Sequence, residues 1–421
     1  MKTRNFIPIA YAITATFLAL SLPARADTAA QQTATGQFVT PTALRGAVQQ
    51  FLNPGLSAYP NFIAGEAVKS QLSPDGGTLA VLCAGMNSLD KADGTTDTAA
   101  STQFLFIYDV RGSHRQAPVL KQVIQQTNAH VGLAFSPDGN TLYATGGRDD
   151  AVYSYVNMSG TWSLGAVLGL GHGNAGIGLG VSPNASGLAV SKDGKTLVVA
   201  NNYNDSISVI DTTNGTVRYE HDLRPFFANN EGLAGGVGGT FPFGVVVKGN
   251  KVAYVSSDRD REVVAIDISS ATAGHLIGRI HLDGNGLGMT LDVSGKHLFV
   301  AEDNADQVAV IDTTTNTVVA KIDARAPAGL LPGSGHGDGD HDADDRHGPH
   351  LTGAATFAVT LSPDGQTLYA VNAGANSIAV IPLKGDGAFQ VAGLIPTAYE
   401  PHDITFSKDG RTMYIVNGKS L

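Results

Sequence analysis

The 421-residue chain holds one cysteine, Cys83, one tryptophan and five methionines. A single thiol excludes an internal disulfide framework and a cysteine-rich zinc site. Charge is scarce as well, with Asp, Glu, Lys and Arg together at 15 % of residues. An apolar fraction of 43 % is large enough to bury a sizeable core, which excludes a disordered tail. The 51 glycines follow no three-residue period, which excludes collagen. What remains abundant is glycine, valine, alanine and threonine, the composition of short strands joined by tight turns.

The first 26 residues read as an export signal. Lys2 and Arg4 form a basic start, Phe6 to Leu20 an apolar run, and Ala24-Arg25-Ala26 a small-x-small cleavage site after Pro23. The run is short of the ~20 residues that a membrane helix needs, so no span is expected after cleavage. Removing Lys2, Arg4 and Arg25, with no acidic residue among them, takes the formal net charge from −10 to −13. Such a chain is repelled by phosphate backbones, and no nucleic-acid partner is expected. The expectation is a periplasmic or secreted protein.

The rest of the chain repeats itself. Ser73-Pro74-Asp75-Gly76, Ser136-Pro137-Asp138-Gly139, Ser191-Lys192-Asp193-Gly194, Ser362-Pro363-Asp364-Gly365 and Ser407-Lys408-Asp409-Gly410 each precede an apolar run. Degenerate copies stand at Gly249 and Gly295, which makes seven. The shortest spacing, about 45 residues, is that of a four-stranded propeller blade. Each Asp-Gly marks a chain reversal, because glycine reaches positive φ without steric cost and Asp bonds back to the backbone. The prediction is an all-β, seven-bladed β-propeller of four-stranded antiparallel blades over residues 61–421. Residues 27–60 form an N-terminal extension.

Val198-Val199-Ala200-Asn201 through Ser208-Val209-Ile210-Asp211, and Leu298-Phe299-Val300-Ala301 through Ile311-Asp312-Thr313, resemble blades of the YVTN-repeat, YncE-like seven-bladed propellers. Leu170-Gly171-His172-Gly173, Phe241-Pro242-Phe243-Gly244, Asp258-Arg259-Asp260-Arg261-Glu262, Gly393-Leu394-Ile395-Pro396-Thr397 and Val416-Asn417-Gly418-Lys419-Ser420 add a closer resemblance. It is to bacterial bifunctional YncE-family/alkaline-phosphatase-family proteins. In those, a phosphoesterase domain follows the propeller. The resemblance implies that these residues are the propeller part of such a protein, and no metal ligand or nucleophile of the phosphoesterase has a counterpart here. After Val416 no residues remain for two further strands. Blade seven is therefore expected to be incomplete, with an edge open to another chain or to oligomerisation. Residues 36–40 are a candidate ring-closing strand.

Loops between strands two and three gather with the inter-blade segments on one face of a propeller, conventionally the top, and inserted loops there usually bind. This places Arg148, Asp149, His172, Asn201, Asp205, Arg224, Asp258, Arg259, Arg261, Asp303 and His402 on a candidate surface for a protein partner or a small anionic ligand. The plain alternative is Arg and Asp pairing within turns. His130, His172 and His402 stand near inner-strand starts, where side chains face the axis. Neither the glycines around Gly171 nor Gly418-Lys419-Ser420 is a phosphate loop, since no helix follows. Residues 333–351 carry His336, Asp338, Asp340, His341, Asp342, His347 and His350, a set that can capture zinc, nickel or calcium or remain a solvated insertion. Three functions follow: a non-catalytic scaffold presenting a phosphoesterase domain, a propeller lactonase with a top-face metal, or a metal-binding module.

Overall fold

The computed structural model describes residues 30–34, 36, 38–172, 183–225, 240–327 and 352–419. The signal segment and the His/Asp-rich insertion, with all its candidate ligands from His336 to His350, lie outside the described residues. Six antiparallel four-stranded sheets and one of two strands succeed one another along the chain. Their inner strands are Ala67–Leu72, Leu133–Phe135, Ala185–Val190, Pro242–Lys248, Gly286–Leu291, Thr356–Leu361 and Pro401–Phe406. All seven contribute residues to one narrow axial channel of about 70 Å³. The described residues form a ring of seven blades, and among them the last blade holds Pro401–Phe406 and Met413–Asn417.

The repeated turn has one hydrogen-bond scheme. Ser73 Oγ donates to Asp75 Oδ1 (2.5 Å) and accepts from the Thr78 N–H (2.9 Å), while Gly76 sits at φ +77°. The same scheme joins Ser136, Asp138 and Thr141, then Ser191, Asp193 and Thr196, then Ser362, Asp364 and Thr367, then Ser407, Asp409 and Thr412. The second strand that follows is apolar because neighbouring blades cover both of its faces, as in Thr196–Asn201, buried throughout. Cys83 ends such a strand in blade one, fully buried, and burial pushes its thiol well above the usual range.

Around the axis the inner strands nearly touch. A Cβ on Gly187 would lie 2.3 Å from the Phe243 carbonyl oxygen, and one on Gly244 2.6 Å from that of Leu287. Both sit where the inner strand breaks register with its neighbour.

Among the described residues of the candidate ring-closing segment 36–40, no strand pairing with blade seven is present. Phe38–Val39 pairs with Gln31–Gln32 in a separate two-stranded sheet. A two-residue strand already paired elsewhere has no ladder to offer blade seven. Closure runs instead through inner strands: Asp403 accepts from Lys69 Nζ (2.9 Å), the Ser70 N–H (2.9 Å) and Ser70 Oγ (3.1 Å). Leu52 and Leu56 of the N-terminal extension, and Phe62 just after it, pack with Phe104 and Tyr414 in the core between blades one and seven.

Hydrogen bonds to a charged group contribute about 1.5–3 kcal/mol. Asp403→Ala should lower unfolding stability in urea by that order, whereas Asp386→Ala, on an exposed turn, should change it by less than about 0.5 kcal/mol.

Candidate functional site

The loops between strands two and three adopt a shared shape. Asp150, Asp205, Arg261, Asp306 and Asn376 each close such a loop in the left-handed region, at φ between +48° and +56°. The entries to four inner strands do likewise, with Glu66 at +49°, Phe241 at +51°, Ala355 at +50° and Glu400 at +57°. Non-glycine residues there cost roughly 1–2 kcal/mol each, so the ring holds them in place. Beyond Phe241, Ala355 and Glu400 the ladder slips by a residue, and Phe243, Phe357 and His402 come to line the axial channel.

Those side chains pave the axis. The His402 ring stacks on Phe357 at 4.7 Å, Phe357 meets Phe243 edge-on at 5.8 Å, and Phe243 meets His130 edge-on at 6.2 Å. His402 is 9 % exposed. Burial pushes its pKa below 6.5, with Glu400 and Glu66 opposing the shift, so the imidazole is neutral at pH 7. Its Nδ1 turns into the protein with no partner, and its Nε2 lies 3.6 Å from Glu400 Oε1. Lys419 Nζ holds Glu400 from the other side at 2.6 Å. His130 donates to or accepts from Ser186 Oγ at 3.0 Å, and desolvation takes its pKa to about 4. Two uncharged imidazoles thus border the aromatic floor.

The candidate residues divide into two groups. Several are absorbed by structure. Asp149 accepts from Asn128 Nδ2 and Tyr153 Oη. Asn201, fully covered, donates to Ser206 Oγ and Ser208 Oγ. Asp205 accepts from the Thr240 N–H (2.7 Å) and Phe241 N–H (3.3 Å) and pins the next blade's entry. Arg224 is clamped on Asp222 by Nε and Nη2, so this guanidinium is committed within its own turn. His172 joins blades two and three, with Nδ1 on Asp150 Oδ1 (2.5 Å) and Nε2 on Glu220 Oε1 (2.9 Å). Arg148, Arg259 and Arg261 stay exposed. Asp258 and Asp303 are half-buried, and burial raises both pKa values; Asp258 and Asp306 raise that of Asp303 further. Among the described residues no three His, Cys, Asp or Glu side chains converge as a metal needs. Glu400, Glu66 and Phe357 were not singled out by sequence, and Lys419 was named only in Gly418-Lys419-Ser420, which was set aside as a phosphate loop. The signal for Phe357 is the alignment of Pro242-Phe243, Thr356-Phe357 and Pro401-His402 at equivalent starts of inner strands.

The geometry defines the protein as a β-propeller with an aromatic and histidine-lined axial mouth. The sequence model described as "Lactonase, 7-bladed beta-propeller" matches residues 341–421, the segment that contains Glu400, His402 and Lys419. "Uncharacterized protein YncE" of Salmonella typhimurium is 23 % identical over 182 residues, and its Salmonella typhi counterpart is equally so. The match spans 42 % of this chain and 42 % of each relative's length. Among solved structures, the periplasmic gluconolactonase of Pseudomonas aeruginosa superposes with TM-score 0.56 at 14 % identity, over 86 % of this chain and 91 % of that one. A streptogramin B lyase superposes with TM-score 0.56 at 16 % identity, over 87 % and 93 %. The chain is a β-propeller with sequence similarity to YncE over those 182 residues. No helix among the described residues is long and apolar enough to cross a membrane.

His172 gives a pH signature. Burial opposes its charge, yet hydrogen bonds to Asp150 and Glu220 outweigh burial and raise its pKa from 6.5 to about 9. The folded state binds this proton more tightly than the unfolded chain. The stabilisation is therefore complete below pH 6.5 and disappears as pH rises through about 9. Urea unfolding should show stability falling by up to about 1.4 kcal/mol per pH unit across that window. The His172→Gln variant should lose this slope.

Proposed function

We propose that the protein is an exported lactone hydrolase whose reactive group is His402 at the axial mouth. The observation that carries the reading is a neutral, desolvated imidazole beside a carboxylate, within the segment that matches the lactonase family. A base that is uncharged below its usual pKa can accept a proton over a wide pH range. At about 70 Å³ the channel is too small for a sugar lactone, so the substrate sits above the mouth on the aromatic floor of Phe243 and Phe357. His402 Nε2 takes a proton as a water oxygen bonds to the lactone carbonyl carbon. The tetrahedral intermediate then collapses, the ring C–O bond breaks, and the imidazolium returns the proton to the departing alkoxide. A hydroxy acid results. Glu400 stabilises the transient imidazolium across 3.6 Å, and exposed Arg148, Arg259 and Arg261 favour anionic substrates and products on this face.

A second reading is a binding module that presents a phosphoesterase domain in the periplasm; it is supported by the sequence similarity to YncE rather than to an enzyme of stated activity.

The two separate in one assay. Purified chain incubated with aldono- and phosphoaldonolactones should open them faster than buffer alone. His402→Gln should lower kcat/KM by about 10²–10⁴-fold, with the acid limb of the wild-type profile below pH 6.5. No rate above buffer across the panel would leave the binding-module reading.

A further inference from the structure

His172 and His402 keep similar company and behave oppositely. Each imidazole has two carboxylates for neighbours. At His172 both ring nitrogens are engaged, by Asp150 Oδ1 at 2.5 Å and Glu220 Oε1 at 2.9 Å, and these bonds outweigh burial, so the ring is charged at pH 7. At His402 the neighbours are Glu400 and Glu66, yet burial prevails and the ring is neutral. Distance separates the two cases. Glu400 Oε1 stops 3.6 Å from His402 Nε2, beyond hydrogen-bond length, while Glu400 Oε2 is bound to Lys419 Nζ at 2.6 Å.

The pair is held in place by main-chain bonds. The Gly418 N–H donates to the Glu400 carbonyl (2.6 Å), the Lys419 N–H reaches the Tyr399 carbonyl (3.4 Å), and the Glu400 N–H is fixed by Asn376 Oδ1 (2.8 Å). Residues 399–400 and 418–419 therefore run side by side, with the Lys419 ammonium 5.7 Å from the centre of the Tyr399 ring. The hydrogen bond to Glu400 raises the Lys419 pKa above its ordinary value, and Glu66 adds to the rise, so the cation is permanent at neutral pH. We infer that Lys419 is a positioning residue for His402: it draws the Glu400 carboxylate off the imidazole and leaves Nε2 without a standing hydrogen bond. No other charge near the ring does this. Phe357 covers one face of the ring, and Lys69, beside it in the channel, is paired with Asp403 at 2.9 Å. An imidazole capped by a carboxylate would carry its proton already, as His172 does, and could not take one from water. The bearing of this on catalysis rests on the lactone reading; the placement of Glu400 does not.

NMR titration of the histidines in the full chain tests this without any substrate, the His402 signal being assigned by its loss in His402→Gln. In Lys419→Met the carboxylate is released, and the His402 midpoint should rise by about 1 pH unit. Lys419→Arg, which keeps the charge, should leave it near the wild-type value. Glu400→Gln removes what Lys419 holds, so adding Lys419→Met to it should move the midpoint no further. An ion pair as exposed as this one adds little to stability, so the variants should fold, and Lys419→Gln gives the same reading with a smaller change of shape. An unmoved midpoint in Lys419→Met would overturn the proposal. An equal rise in the Glu400→Gln background would overturn it too, by showing that Lys419 acts on the ring directly. A chain that opens no lactone would leave the titration able to decide the role of Lys419, whereas hydrolysis with an unmoved midpoint would sink this inference alone.

Discussion

Inner strands of neighbouring blades come so close to the axis that side chains are excluded from successive positions. Cβ atoms on Gly132, Gly187, Gly244 and Gly288 would meet Ser186 O at 2.4 Å, Phe243 O at 2.3 Å, Leu287 O at 2.6 Å and Ala358 Cα at 2.8 Å. This crowding governs the remainder. It fixes the radius of the ring, and with it the wedge into which each outer strand must pack. It also forces the register slips that turn Phe243, Phe357 and His402 inward. The axial mouth is thus a product of the closure geometry itself, and its chemistry depends on which residue stands two places beyond each left-handed entry.

Closure and chemistry are further coupled at blade seven. Asp403, which clasps blade one, follows His402 directly. Gly418 has its backbone against the His402 ring, where a Cβ would come within 2.3 Å of Cε1. The Gly418 carbonyl also receives the Glu66 N–H at 2.6 Å. The same few residues therefore fasten the ring and hold the imidazole, which explains how a blade of two strands keeps an ordered inner edge.

The blade repeat was legible because the Ser-x-Asp-Gly turn is a local device: its donor, acceptor and glycine lie within six residues, so the sequence displays it whole. The loops that gather on the top face were legible for the same reason. Pairings across blades were not. His172 meets Asp150 and Glu220 at separations of 22 and 48 residues, and nothing local in Leu170-Gly171-His172 announces either carboxylate. Arg224 shows the converse, since its partner Asp222 lies two residues away and the clamp was readable as a turn pair. The pairing of Phe38–Val39 with Gln31–Gln32 was not legible either, because β-like composition over a few residues does not name the partner strand.

The lone cysteine gives the ring a built-in clock. Cys83 lies in the core shared by blades one and seven, alongside Phe104, Tyr414 and Val416. Its thiol is shielded from solvent and held protonated, so alkylating reagents reach it only when that seam parts. The rate at which Cys83 is modified therefore counts openings at the one joint where first and last blades meet, without any label having to be introduced.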